Sequence, residues 1–94
     1  MLGIELTPEH PVSRIAKLGE HAESNGFDTV FSSCHYNNRD PFVALDRIAT
    51  RTDDVRLGPG IANPYETHPV TLASRVASLD EAADGRAVYG IGPG

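Results

Sequence analysis

The sequence contains one cysteine, one lysine and no apolar run near the roughly 18 residues that a membrane-spanning helix needs. The lone cysteine, Cys34, excludes an internal disulfide and fits a reducing compartment. No basic stretch followed by an apolar segment opens the chain, so no signal peptide is expected and the expected compartment is the cytoplasm. Lys17 is the single lysine among eight basic residues, against thirteen acidic ones. The resulting net charge of −5 argues against nucleic acid or an anionic membrane as a partner. Acidic excess with little lysine fits a salty cytoplasm and a GC-rich genome alike.

Phosphate loops are also missing. The first strand-to-helix connection, "TPEHP", has no glycine, whereas a dinucleotide-binding domain carries its phosphate glycines there. No Gly-Lys-Ser/Thr occurs, which excludes a Walker loop. His10, Cys34, His35 and His68 lack metal-ligand spacing, so no metal site is expected.

What is present is an alternation of short apolar runs and helical periodicity. "LGIEL" at 2–6 reads as a strand. Val12, Ile15, Ala16, Gly19 and Ala22 then share one helical face, and Asn25-Gly26 supplies the stop. "FDTVF" at 27–31 is a second strand. Asp40-Pro41 reads as an N-cap followed by proline at the first helical position. Phe42, Leu45, Ile48 and Ala49 form the face of that helix. A third strand opens at Val55 and is expected to run through the glycines to Ile61. A third helix from Pro69 is expected to bury Leu72, Ala73, Val76 and Leu79, with Gly85 as its stop. Residues 86–91 form a fourth strand.

The order β-α-β-α-β-α-β with short connections implies a parallel sheet. Strand starts near 2, 27, 55 and 86 match the repeat of a (β/α)8 barrel, which needs about 250 residues. The expected fold is therefore α/β, the first three βα units plus the fourth strand of a TIM-type barrel. Residues 1–94 are expected to be the N-terminal part of a single barrel domain, inactive by itself.

Four segments carry candidate chemistry. Pro59, within "GPG" at 58–60, removes a ladder donor, so the third strand must bulge there. Gly58 and Gly60 leave the backbone bare, either as a strand-end turn or as a surface for a flat ligand. "SSCHYNNRD" at 32–40 follows strand 2 on the barrel face where active sites form. Its density of polar groups exceeds what a turn needs. His35 is a ligand donor or a loop histidine, and Arg39 is expected to pair with a carboxylate. Cys34 is a weak nucleophile candidate, because adjacent strand residues point to opposite faces. Glu5 interrupts an apolar strand: either it is simply exposed at a strand end, or it points into the barrel mouth, where the burial expected there would suit it to general-acid work or to binding a cationic or amide group. "ANPYETHP" places Asn63 where it could donate to a ligand edge, with His68 or Thr67 capping the next helix.

Together "GIEL", "GFDTVF", "HYNNRDPF", "RLGPGIANPYETHP" and the closing "YGIGPG" resemble the start of the F420-dependent methylene-tetrahydromethanopterin reductases, a family of the bacterial luciferase-like superfamily. The resemblance implies hydride transfer between coenzyme F420 and a pterin-bound methylene carbon, on methanopterin or a folate carrier. FMN is the alternative coenzyme within the superfamily, and a non-catalytic barrel piece or binding module is the alternative to an enzyme. The resemblance makes Glu5 the candidate catalytic residue, contacting the pterin. It makes His35, Gly60, Ile61 and Asn63 candidates for coenzyme binding, with a cis peptide at Gly60–Ile61. It also implies a homo-oligomer at full length. Two departures stand out: Cys34-His35 replaces the superfamily's common Asp-His, and the acidic residue that follows the second Gly-Pro-Gly in the family is not reached by Gly94.

Overall fold

Prolines and polar caps fix where the helices of this chain begin. In the computed structural model, which describes residues 2–35 and 38–92, three strands alternate with three helices. They are β1 (Gly3–Leu6), α1 (Val12–Ser24), β2 (Thr29–Ser32), α2 (Pro41–Arg51), β3 (Arg56–Pro59) and α3 (Pro69–Ala82). Asn37 of the polar loop, and Pro93 and Gly94 of the second Gly-Pro-Gly, lie outside the described residues.

Asp40 caps α2, accepting a 2.8 Å hydrogen bond from the Phe42 amide ahead of Pro41. His68 rather than Thr67 caps α3: its Nδ1 accepts from the Val70 amide at 3.1 Å. At the other ends, Gly26 and Gly85 take positive φ, 86° and 85°, and turn the chain out of α1 and α3.

The strands pair in parallel in the order β1-β2-β3, with Ile4 opposite Val30 and Val30 opposite Leu57. A strand order that advances in one direction, with right-handed crossovers, puts every helix on the same face of the sheet. This is barrel winding; a doubly wound sheet needs a reversal of strand order. The core lies between sheet and helices. Leu6, Val30 and Leu57 meet Ile15, Leu45, Ile48 and Leu79 there. Complete burial of side chains such as Leu45 and Ile48 contributes about 1.5–3 kcal/mol each.

Three expectations need correction. The third strand does not run unbroken to Ile61; it ends at Pro59. The fourth strand joins it by isolated parallel bridges, Leu57 with Ala87 and Ala62 with Ile91. Five residue steps on the β3 side thus match four on the other, which is a one-residue bulge. The extra residue is not at Pro59 as expected: Pro59 has no amide hydrogen, but its carbonyl still accepts from the Gly90 amide in register, so the bulge lies one step on, at Gly60–Ile61. Third, Ala73 on α3 is exposed and Val76 only half-buried, while Leu72 and Leu79 are buried. The apolar face is where periodicity puts it, but it forms an open groove with Ala87, Tyr89 and Ile91.

At the opposite end from the strand C-termini, two charged side chains fasten the α2–β3 turn. The Glu23 carboxylate accepts from the amides of Asp53, Asp54 and Val55, at 2.7–3.0 Å through Oε2. Arg86 donates to the carbonyls of Ala49, Thr52, Val55 and Ala83 and to Thr52 Oγ1. Arg86 thereby satisfies the Ala49 carbonyl in the last turn of α2 and that of its C-cap, Thr52, while Thr52 Oγ1 donates to Ile48 O. No helix among the described residues is long and apolar enough to cross a membrane.

Candidate functional site

Parallel strands all end on one side, so the loops after β1, β2 and β3 converge there. Side chains alternate along each strand. Because Ile4 and Leu6 face the helices, Glu5 faces the other side of the sheet, opposite Phe31. The burial expected of Glu5 is not found: the residue is exposed, because no element among the described residues covers that face. Its Oε2 accepts a 2.5 Å hydrogen bond from Ser33 Oγ. The Ser33 amide also donates to Leu6 O at 2.9 Å, extending the β1–β2 ladder past its named end.

Gly60 and Ile61 form the bulge, and the peptide bond between them is cis. A Cβ on Gly60 would lie 2.9 Å from Phe31 Cβ, so the protein's own packing demands glycine there. Ile61 in turn reaches over strand 4: a Cβ on Gly92 would lie 2.6 Å from its Cδ1, and one on Gly90 3.2 Å from its Cγ2. The space left by these glycines is filled by neighbouring side chains. Across the sheet, Phe31 stands between Glu5 and Gly60.

His35 and Asn63 come together elsewhere, in a cleft of about 460 Å³ between the β2–α2 and β3–α3 loops. Cys34, Arg39, Glu66 and Arg75 share its lining. The five candidates thus divide into Glu5, Gly60 and Ile61 at the strand ends, and His35 and Asn63 in the cleft.

The cleft's polar groups are largely engaged. Asn63 Oδ1 accepts from the Tyr65 amide at 2.8 Å, which folds its loop back on itself. His35 Nδ1 lies 3.8 Å from Glu9 Oε1. Glu9 sits below the usual carboxylate range, mainly through a hydrogen bond from Thr7, with His35 adding a smaller pull. The carboxylate partner expected for Arg39 is replaced by backbone carbonyls among the described residues. Its Nη1 donates to Pro8 O at 2.8 Å, tying the β2–α2 loop to the β1–α1 loop. The backbone carbonyl wins because Pro8 is buried and its oxygen needs a donor.

Cys34 Sγ lies 3.8 Å from Glu66 Oε2. Burial, and then the Glu66 carboxylate, push the thiol above its ordinary value, while Arg75 pulls weakly the other way. A thiol held protonated is a poor nucleophile. Arg75 has no ion pair or hydrogen bond among the described residues and is exposed at the cleft edge. No group of three metal-ligating side chains occurs among them either.

Sequence reasoning missed Ser33, Glu66 and Arg75. Alternation could have found Ser33, since residues 31 and 33 share the face of Glu5. Glu66 and Arg75 meet Cys34 only through the fold.

Comparison with known proteins agrees with this geometry. The profile of the luciferase-like monooxygenases matches residues 2–94. The 5,10-methylenetetrahydromethanopterin reductase of Methanolobus tindarius is 45% identical over 98% of this chain, covering 28% of its own length. The Methanopyrus kandleri protein of the same name is 46% identical over 98% of the chain and 26% of its own. The chain thus spans a little over a quarter of these relatives. The structure of the coenzyme F420-dependent tetrahydromethanopterin reductase from Methanopyrus kandleri superposes with a TM-score of 0.95 over 99% of this chain and 27% of that one, at 45% identity. A monooxygenase from Streptomyces bottropensis superposes at 0.86 over 97% of this chain and 32% of that one, with 32% identity. The fold is therefore the opening of a (β/α)8 barrel: three βα units and the fourth strand.

Proposed function

The chain belongs to the luciferase-like monooxygenase family, and from that premise we propose that it is the N-terminal part of an oxidoreductase working with coenzyme F420. The reaction is hydride transfer between the coenzyme and the methylene carbon of methylenetetrahydromethanopterin or a tetrahydrofolate analogue. One observation carries this reading: the 0.95 superposition at 45% identity on an F420-dependent tetrahydromethanopterin reductase, against 0.86 and 32% on a monooxygenase.

The donor set fits a deazaflavin. His35, Asn63 and Arg75 bring neutral and cationic donors to one cleft, as a ring with a polar edge requires, while the cleft's two carboxylates are already engaged, Asp40 as the cap of α2 and Glu66 with Cys34. His35 and Asn63 would orient the coenzyme, with Gly60 and Ile61 forming the backbone surface at the end of β3. When bound, the coenzyme supplies a two-electron hydride donor and acceptor. The protein's part is positioning and electrostatics. Glu5, at the C-terminal end of β1 on the open face of the sheet, would contact the pterin and stabilise charge at its reacting nitrogen. The substrate is a small pterin, the partners are further copies of the same full-length subunit, and the compartment is the cytoplasm.

Titration of the barrel-length protein carrying these residues with F420 and with FMN tests the reading. Saturable F420 binding that FMN does not compete away is expected. Binding of FMN with indifference to F420 would overturn it.

A further inference from the structure

We propose that Ser33 is a positioning residue that holds the Glu5 carboxylate in one orientation, with Oε1 turned to the ligand. The inference rests on the reading of Glu5 as the residue that contacts the pterin.

Glu5 is exposed and carries three side-chain torsions, so by itself it would sample many rotamers. Ser33 is the opposite kind of residue. It is 2% exposed, and its backbone is fixed by the amide bond to Leu6 O. Its Oγ donates 2.5 Å to Glu5 Oε2 from just past the end of β2, 28 residues away in sequence. A short bond from a rigid hydroxyl to a carboxylate is charge-assisted and stronger than a neutral one. Phe31 stands directly opposite Glu5 in the β1–β2 register. Among the described residues Oε1 has no hydrogen bond. One oxygen is anchored and the other presented, at the strand ends where barrel sites form. A carboxylate ordered before the ligand arrives pays less conformational entropy on binding.

The test uses the barrel-length protein and three variants. Ser33→Ala should lower kcat about tenfold with KM changed less than about twofold, because it loosens a group engaged in the transition state. Ser33→Thr, which keeps a hydroxyl, should recover most of that loss. In a Glu5→Gln background, Ser33→Ala should cost almost nothing further. An equal loss in both backgrounds would overturn the proposal, since Ser33 would then act independently of Glu5. A second readout needs no coenzyme. Side-chain relaxation of the Glu5 methylenes in the ligand-free protein should show increased motion in Ser33→Ala and native order in Ser33→Thr. Unchanged order in Ser33→Ala would also overturn it. If F420 turnover is absent altogether, the reading of the function fails, and the relaxation measurement still decides whether Ser33 holds Glu5.

Discussion

The carbonyl oxygen of Val88 occupies the space that a side chain on Gly58 would need. Strand 4 therefore reaches β3 only because position 58 is glycine. The amide of Leu57 donates to Arg86 O, and the amide of Val88 to Leu57 O, on either side of this contact. Gly58→Ala puts a methyl group against backbone, which no rotamer change relieves. The variant should lose about 3 kcal/mol, at the upper end of overpacking costs. Hydrogen exchange at Val88 and Gly90 checks it: their amide protection should collapse while that of β1 and β2 persists.

The Cys34 thiol should alkylate slowly near neutral pH. Burial first, and the Glu66 carboxylate second, hold it protonated. Glu66→Gln removes the repulsion of the thiolate and should speed iodoacetamide labelling severalfold. Arg75→Ala should slow it, since Arg75 favours the thiolate. Labelling rates at pH 8, followed by mass spectrometry, report both changes.

Glu23 gives the chain an acid-sensitive fastening. Burial opposes its ionisation, but the amides of Asp54, Val55 and Asp53 outweigh it, and its pKa falls below the ordinary 4.5. A carboxyl with a lowered folded-state pKa contributes stability above its unfolded value and loses it as pH falls through the folded one. Glu23→Gln should cost about 1–2 kcal/mol at pH 7, a figure discounted for solvent at a half-buried site. The gap between wild type and variant should narrow below pH 4.5. Urea titrations across that range measure it.

Local chemistry made much of this fold legible. Asp40-Pro41, His68-Pro69, Gly26 and Gly85 mark helix ends by their own backbone preferences, so the sequence places them well. The missing donor of Pro59 is legible for the same reason, but the bulge itself lies beyond it, at Gly60–Ile61, where only the pairing with strand 4 reveals it. What periodicity reveals is an apolar face, not its cover; hence Ala73 and Val76 were expected in the core and lie along an open groove. Glu5 shows the same limit. Alternation gives its face, but its exposure depends on what stands opposite. Contacts such as Ser33 with Glu5, or Cys34 with Glu66, join residues about thirty apart, and only the β1–β2 register and the loop packing bring them together.

Hydride transfer tests the central claim most directly. Reduced F420 and methylenetetrahydromethanopterin, or its folate analogue, would be mixed with the barrel-length protein while deazaflavin oxidation is followed by absorbance. The account predicts pterin-dependent oxidation of the coenzyme that Glu5→Gln slows strongly, and none with residues 1–94 alone. Oxidation of F420 that ignores both pterins, or turnover with reduced FMN in its place, would contradict it.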